Sequence, residues 1–192
     1  MGNLAYQMDF QEIRKSESID GVIYNLASAS RNHNRVVDNI KMIFDNYLRS
    51  HKCQAHRELN VFFNNKDHVI PDVIVVCNQD IDKPDGVHGA PDLIVEVLSP
   101  STEIRDRRHK MKLYERNGVK EYWLVNTLSL SIEVYLLTDN KFELSMVYRV
   151  FPDYEIGLMT DRDKEENLFY EFKTSIFSDL VINIKDVFDR LI

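Results

Sequence analysis

Two carboxylic acids stand where a folded chain ordinarily keeps none. Asp72 lies in Pro71-Asp72-Val73-Ile74-Val75-Val76, and Glu96 lies in Leu93-Ile94-Val95-Glu96-Val97-Leu98. Both runs are apolar on either side of the acid, the pattern of a central strand covered on both faces. A lone carboxylate buried there is costly unless a cation, a metal or hydrogen bonds meet it. A single such acid is ordinarily satisfied by an arginine or by backbone amides. Two of them, each in its own central strand, make the donor set that a hard divalent cation takes. Magnesium binds through one or two carboxylates and keeps waters that a substrate phosphate can displace. Asp72 and Glu96 are therefore the expected ligands of Mg2+, or of Mn2+ in its place.

Lys110 is the third candidate. It follows the Glu96 strand on a predicted helix, at the border of an apolar face that includes Met111, Leu113 and Tyr114. From there it can lean over the sheet towards Glu96. The bland explanation is an ion pair with Asp106, one helical turn earlier. Its surroundings, Arg105 to Lys112, form the most basic stretch of the chain. Most of those charges read as a solvated face, and the strip could also meet phosphates. His33 sits on the apolar face of an earlier helix, either as a structural histidine or aimed into the same cavity. Asp92 shares a strand face with Glu96 but stands roughly 13 Å away at about 3.3 Å per residue, too far to share one ion. It more simply starts its strand by bonding nearby amides. The other histidines form no His-x-His or His-Glu-x-x-His pattern, which speaks against zinc. No glycine-rich phosphate loop and no Gly-x-Ser-x-Gly is present, so nucleotide hydrolysis and serine-hydrolase chemistry have no support.

Several elements must position these groups. A helix is expected over 8–15, then an apolar strand at 21–26. Ser30 caps a helix running to about Ser50, with Val36, Ile40, Ile43, Phe44 and Tyr47 on one face. Strands over 58–63 and 68–77 are joined by Asn64-Asn65-Lys66-Asp67, a hairpin composition. The strand at 92–98, a helix at 103–117 ended by Gly118, and a strand at 122–125 make a crossover unit joining parallel neighbours. Strands at 131–137 and 142–150 add a meander, and a short amphipathic helix over 184–191 ends the chain. The class is α/β (α+β), a mixed central sheet flanked by helices. No repeat or linker divides the 192 residues, so one domain over 1–192 is expected.

The formal net charge of −7 counts against a constitutive high-affinity nucleic-acid binder, though an enzyme can meet DNA through one local basic strip. No run of about 18 apolar residues suggests a membrane span. No secretory signal is evident at the N-terminus, and Cys53 and Cys77 belong to no Cys-x-x-Cys pair. A cytoplasmic chain with two inert thiols, and no disulfide, is the expectation.

Larger blocks of sequence carry a resemblance. Pro71-Asp72-Val73 is followed by Gly89-Ala90-Pro91-Asp92-Leu93-Ile94-Val95-Glu96-Val97-Leu98-Ser99-Pro100-Ser101-Thr102. Then come Arg105-Asp106-Arg107, Lys110, Leu113-Tyr114, Gly118-Val119 and Glu121-Tyr122-Trp123-Leu124-Val125. These blocks, with Ser30 and His33 upstream, resemble the Uma2 family of restriction-endonuclease-like proteins, placed in the PD-(D/E)xK nuclease superfamily. The resemblance implies a restriction-endonuclease-like core, magnesium held by Asp72 and Glu96, and metal-dependent hydrolysis of phosphodiester bonds in DNA. Leu98 occupies the place where the superfamily motif has its lysine, and Lys110 on the next helix is the family's substitute. Symmetric cutting of duplex DNA implies a homodimer. The competing reading is a nuclease scaffold that binds without turnover, which the acidic charge and the displaced lysine favour.

Overall fold

The computed structural model describes residues 15–191. The helix expected over 8–15 falls almost wholly outside them. The chain begins with a hairpin, β1 (Ser16–Ile19) and β2 (Val22–Asn25), turned at Asp20 and Gly21, both at positive φ. Helix α1 (Arg31–Leu48) follows, its first turn capped by Ser30 Oγ, which accepts from the His33 amide at 3.2 Å. Val36, Ile40 and Phe44 are its buried stripe, each worth about 1.5–3 kcal/mol of burial.

Two six-stranded sheets make up most of the molecule, with a separate two-stranded one near the C-terminus. The first runs β12-β11-β10-β9-β6-β3, from β3 (Gln54–Arg57), β6 (Val73–Val76), β9 (Leu93–Val97), β10 (Glu121–Asn126), β11 (Ser131–Thr138) and β12 (Lys141–Arg149). Strands β9 and β10 are parallel, as the intervening helix requires, and every other neighbour is antiparallel. The second sheet runs β2-β1-β5-β4-β8-β7, adding β4 (Val61–Phe62), β5 (His68–Val69), β7 (Asp82–Lys83) and β8 (Gly86–His88). The single strand expected over 68–77 is thus two. Ile70 and Pro71 break it, sending β5 to one sheet and β6 to the other. Strands β3, β7 and β8 carry too little apolar alternation to be read in advance.

The first sheet is buried on both faces. One face packs on α1, on the C-terminal pair β13 (Glu171–Lys173) and β14 (Val181–Asn183), and on α6 (Ile184–Val187), which follows β14. The other face, with Ile74, Ile94 and Leu124, shares a core with Ile19, Val61, Val69 and Val87 of the second sheet. The same core takes Leu113 and Tyr114 from the helical segment after β9. That segment is α2 (Glu103–Arg105), a π-helical turn (Asp106–Lys110) and α3 (Met111–Asn117), stopped by Gly118 at φ 82°. Two short exposed helices, α4 (Asp153–Leu158) and α5 (Asp161–Asn167), were not legible as helices, and α6 is shorter than expected. Among the described residues no helix is long and apolar enough to cross a membrane.

The expectation of two separate thiols is overturned by a Cys53–Cys77 disulfide. Strands β3 and β6 pair with Gln54 opposite Val76, and one more step along that ladder sets the two cysteines face to face with Cα atoms 4.0 Å apart. No sequence motif announces such a bridge, because only the strand register creates it. Closing a loop of this length adds about 3 kcal/mol by restricting the unfolded chain. Reduction is therefore expected to lower the melting temperature by roughly 10 °C for a chain of this size. An unchanged melting temperature, with two thiols titrating in the denatured chain before any reductant is added, would contradict the bridge.

Candidate functional site

Strand register brings the two expected acids together. Val73 pairs with Val95 and Ile74 with Ile94 across β6 and β9, so the next step sets Asp72 opposite Glu96. Directly opposed residues of an antiparallel pair point to the same face with Cβ atoms about 4.5–5.5 Å apart. Asp72 closes the ladder with its own side chain, Oδ2 accepting from the Val97 amide at 2.7 Å. His33 Nε2, from the first turn of α1, lies 3.2 Å from the same oxygen.

Lys110 arrives from the helical segment above. Its ammonium lies 2.9 Å from Glu96 Oε1, 2.7 Å from Glu17 Oε1 and 3.6 Å from Asp106 Oδ1. The π-helical turn adds a residue to this part of the helix and leaves both Asp106 and Lys110 buried on its inner side. Tyr114, farther along the same segment, donates to Glu96 Oε1 at 2.6 Å. Arg105 reaches Glu17 Oε2 at 3.5 Å while its guanidinium lies over the Tyr24 ring. The expected Asp72, Glu96 and Lys110 group is thus assembled, with His33 at its edge.

Asp92 is outside it. One carboxylate oxygen accepts from the Cys77 amide at 2.8 Å and the other from Lys120 at 2.7 Å, so this residue pins the start of β9. Glu17 is the participant that the sequence did not reveal. It sits in a short polar strand, Ser-Glu-Ser-Ile, and becomes fully buried only because β1 folds over the helix. Its second anchor is the Ile70 amide, at 3.0 Å from Oε1.

Electrostatics set the chemistry. Burial pushes the Glu96 carboxyl well above the usual carboxylate range, against the pull of Lys110, and Asp106, Asp72 and Glu17 push the same way. Burial likewise raises Asp106, again with Lys110 opposing. Burial alone would strip Lys110 of its proton, but the Glu96, Glu17 and Asp106 charges outweigh it and hold the ammonium above its ordinary range. Acids outnumber cations among the side chains described here: Glu17, Asp72, Glu96 and Asp106 stand against Lys110 and Arg105, with His33 at the edge. Glu17 Oε2 and Asp106 Oδ1 are buried without a hydrogen bond, though ion-paired at longer range.

These features fit a divalent cation. The donors are hard oxygens, and the surrounding acids outnumber the cations. Among the described residues the side-chain and amide contacts given above reach Glu96 at Oε1 and Asp72 at Oδ2, so an ion would be met by the other oxygen of each. Among the described residues no three His, Cys, Asp or Glu side chains are gathered closely enough to hold a metal unaided. The arrangement suits an ion that completes its shell with water and phosphate, as magnesium does. Asp72 gives the way in, its side chain 16% exposed where that of Lys110 is 4%.

Comparison with known proteins gives the family and the shared fold. The Uma2 family, described as "Putative restriction endonuclease", matches residues 4–154. The uncharacterized protein slr1290 of Synechocystis is 32% identical over 153 residues, covering 78% of this chain and 80% of that protein. A second uncharacterized Synechocystis protein, sll1609, is 28% identical over 140 residues, covering 67% and 76%. Among solved structures, a protein from Anabaena variabilis described as a "putative nuclease belonging to DUF820" superposes with a TM-score of 0.67 at 21% identity. The superposition covers 90% of this chain and 89% of that one, so the fold is shared along nearly the whole chain.

Two outcomes follow from this geometry. Replacing Lys110 by alanine leaves three buried acids without their shared cation, and the loss of stability at neutral pH should be about 3–5 kcal/mol. A loss below about 1 kcal/mol in denaturant unfolding would mean that the cluster does not depend on it. His33 is buried, which favours the neutral ring, but its bond to Asp72 and the Asp72 charge outweigh that and raise its pKa. A raised folded pKa means that the stabilisation is complete below the unfolded value near 6.5 and is lost as pH rises through the folded value. Imidazole NMR in metal-free buffer should show a His33 midpoint above 6.5 that falls in Asp72→Asn. A midpoint unmoved by that substitution would dissolve the pair.

Proposed function

The chain belongs to the Uma2 family, and we propose that it is a divalent-metal-dependent endonuclease that hydrolyses phosphodiester bonds in DNA. The observation that carries this reading is the register pairing of Asp72 with Glu96 inside a cluster where acids outnumber cations. Two acids set side by side at a sheet end, Glu96 buried and Asp72 half-buried, repel each other, and a structure needing only stability gains nothing by that arrangement. A cation between them reverses the sign of the interaction.

Asp72 and Glu96 would hold Mg2+ or Mn2+ through their remaining oxygens. When bound, such an ion activates a water and offsets charge growing on the phosphate oxygens. The residues of this chain do the rest. Lys110 and Tyr114 fix Glu96 through Oε1, so that its carboxylate cannot swing away from the ion. Glu17 and Asp106 hold the Lys110 ammonium in place and charged, a preorganised positive charge next to the reacting phosphate. His33 and the Val97 amide set the orientation of Asp72 at the entrance. A phosphate approaches from the Asp72 side, since that carboxylate is the most open of the group. Cutting both strands of a duplex calls for two such sites, which a two-fold dimer supplies.

A scaffold that binds without turnover is the second reading. One observation favours it: Glu96 and Lys110 are almost sealed from solvent. Incubation of supercoiled and linear DNA with the purified chain and Mg2+ or Mn2+ separates the two. The proposal expects cleavage that chelation abolishes and that Asp72→Asn or Glu96→Gln each lowers on the order of 100-fold or more, with Lys110→Met similarly impaired. Intact DNA under all metal conditions, or cleavage indifferent to Glu96→Gln, would sink it.

A further inference from the structure

The outer face of the second sheet carries an ordered row of rings. Ser18 of β1 pairs with His68 of β5, His68 pairs with Phe62 of β4, and Phe62 pairs with His88 of β8. Direct partners share a face, and here it is the face away from the core, because Glu17, Ile19, Val61, Val69 and Val87 fill the inner one. The rings of Phe62 and His68 are stacked with centroids 4.8 Å apart, and those of Phe62 and His88 are 4.9 Å apart. These separations match the spacing of neighbouring strands, about 4.7–4.9 Å, so the rings stand upright from the sheet like books on a shelf.

Among the described residues the row of rings stops at the next strand. The next position is Ser18, whose hydroxymethyl group is far too small to continue the stack and whose Oγ is bonded to the Lys66 carbonyl at 2.7 Å. Beyond it, in register on β2, stands Ile23, 73% exposed. Ile23 and His68 are two strand spacings apart, roughly 9.6 Å. A cleft opens on this face beside His68, lined by Ser18, Phe62, His68 and His88 and walled by the 63–66 turn, which presents the exposed Asn65 and Lys66.

We propose that this slot binds an unpaired nucleobase of a single-stranded nucleic acid, stacked on His68 over Ser18. The chemistry of the walls selects that occupant over other flat groups. The His68 ring offers a π face to stack on, amide side chains of the turn lie beside it, and the Lys66 ammonium can meet a backbone phosphate. His68 presents a neutral ring, since burial holds its pKa below the ordinary range and Nε2 is engaged by Asn60 Oδ1 at 2.9 Å. Strand β1 joins the two regions of the molecule. Glu17 points inward to Lys110 and Ser18 points outward to the slot, so a base held there lies across one strand from the acidic cluster. The inference goes beyond the hydrolytic reading and does not require it.

Binding in EDTA, where no metal chemistry runs, tests it on the intact chain. The probes are a fluorescently labelled single strand of about ten nucleotides, the same length of abasic strand, and a duplex, followed by anisotropy. The base-bearing strand should bind at least tenfold more tightly than the abasic one, and more tightly than the duplex. His68→Ala removes the stacking wall and Ser18→Phe fills the slot; each should weaken the base-bearing strand roughly tenfold, about one base–ring stack, and leave the abasic strand unchanged. Because one substitution empties and the other fills, a folding defect in either leaves its counterpart, or Lys66→Ala with its reduced salt dependence, to decide. Equal binding of base-bearing and abasic strands, no binding of either, or variants that bind like the unaltered chain would overturn the proposal. So would tighter binding of a tryptophan-bearing peptide than of the strand.

Discussion

Lys110 holds its charge inside the protein only because three acids surround it, and those acids remain buried only because it is there. Neither side of that balance can be removed without the other becoming costly. The cluster draws on elements far apart in sequence: β1 for Glu17, β9 for Glu96, and the helical segment for Asp106 and Lys110. It therefore fixes how the N-terminal hairpin sits on the helix and how the helix sits on the sheet. The π-helical turn belongs to the same constraint, since it is what leaves Asp106 and Lys110 buried together.

Glu121 shows what a purely structural buried acid looks like in the same sheet. It lies on β10, next to β9, and is as deeply buried as Glu17. Burial pushes its carboxyl up, but it accepts from the Ser175 amide at 2.6 Å, from Ser175 Oγ at 2.5 Å and from Trp123 Nε1 at 2.6 Å. Both oxygens are used, no second acid stands opposite it in register, and the residue ties the C-terminal segment to the sheet. Asp72 and Glu96 differ in both respects. They face each other, and among the described residues the contacts given above reach each at one oxygen.

The acids at 72 and 96 could be read in advance because apolar strands make an intruding carboxylate conspicuous. Helix α1, the strand–helix–strand unit and the meander were legible for a related reason, since their period and caps are local signals. Glu17 was not legible, because it stands between two serines in a short strand with a single apolar residue, Ile19, and its burial is created by tertiary packing alone. The Cys53–Cys77 bridge was hidden in the same way, arising from the register of β3 against β6. The break at Pro71 was misjudged for a different reason: β5 and β6 are both apolar, and a run of apolar residues does not say that the chain changes sheets in the middle. The short strands of the second sheet are the extreme case, being two or three residues long with pairing that only the whole fold dictates.

The central claim is that a doubly charged ion belongs between Asp72 and Glu96. Diffraction from a manganese-soaked crystal, with the ion located by its anomalous signal, tests this most directly. The account predicts one peak in contact with an oxygen of each acid, Lys110 still bonded to Glu96 Oε1, and loss of the peak in Asp72→Asn. A crystal fully exposed to manganese that shows no peak there, with both carboxylates held only by their lysine, tyrosine, histidine and amide partners, would contradict it.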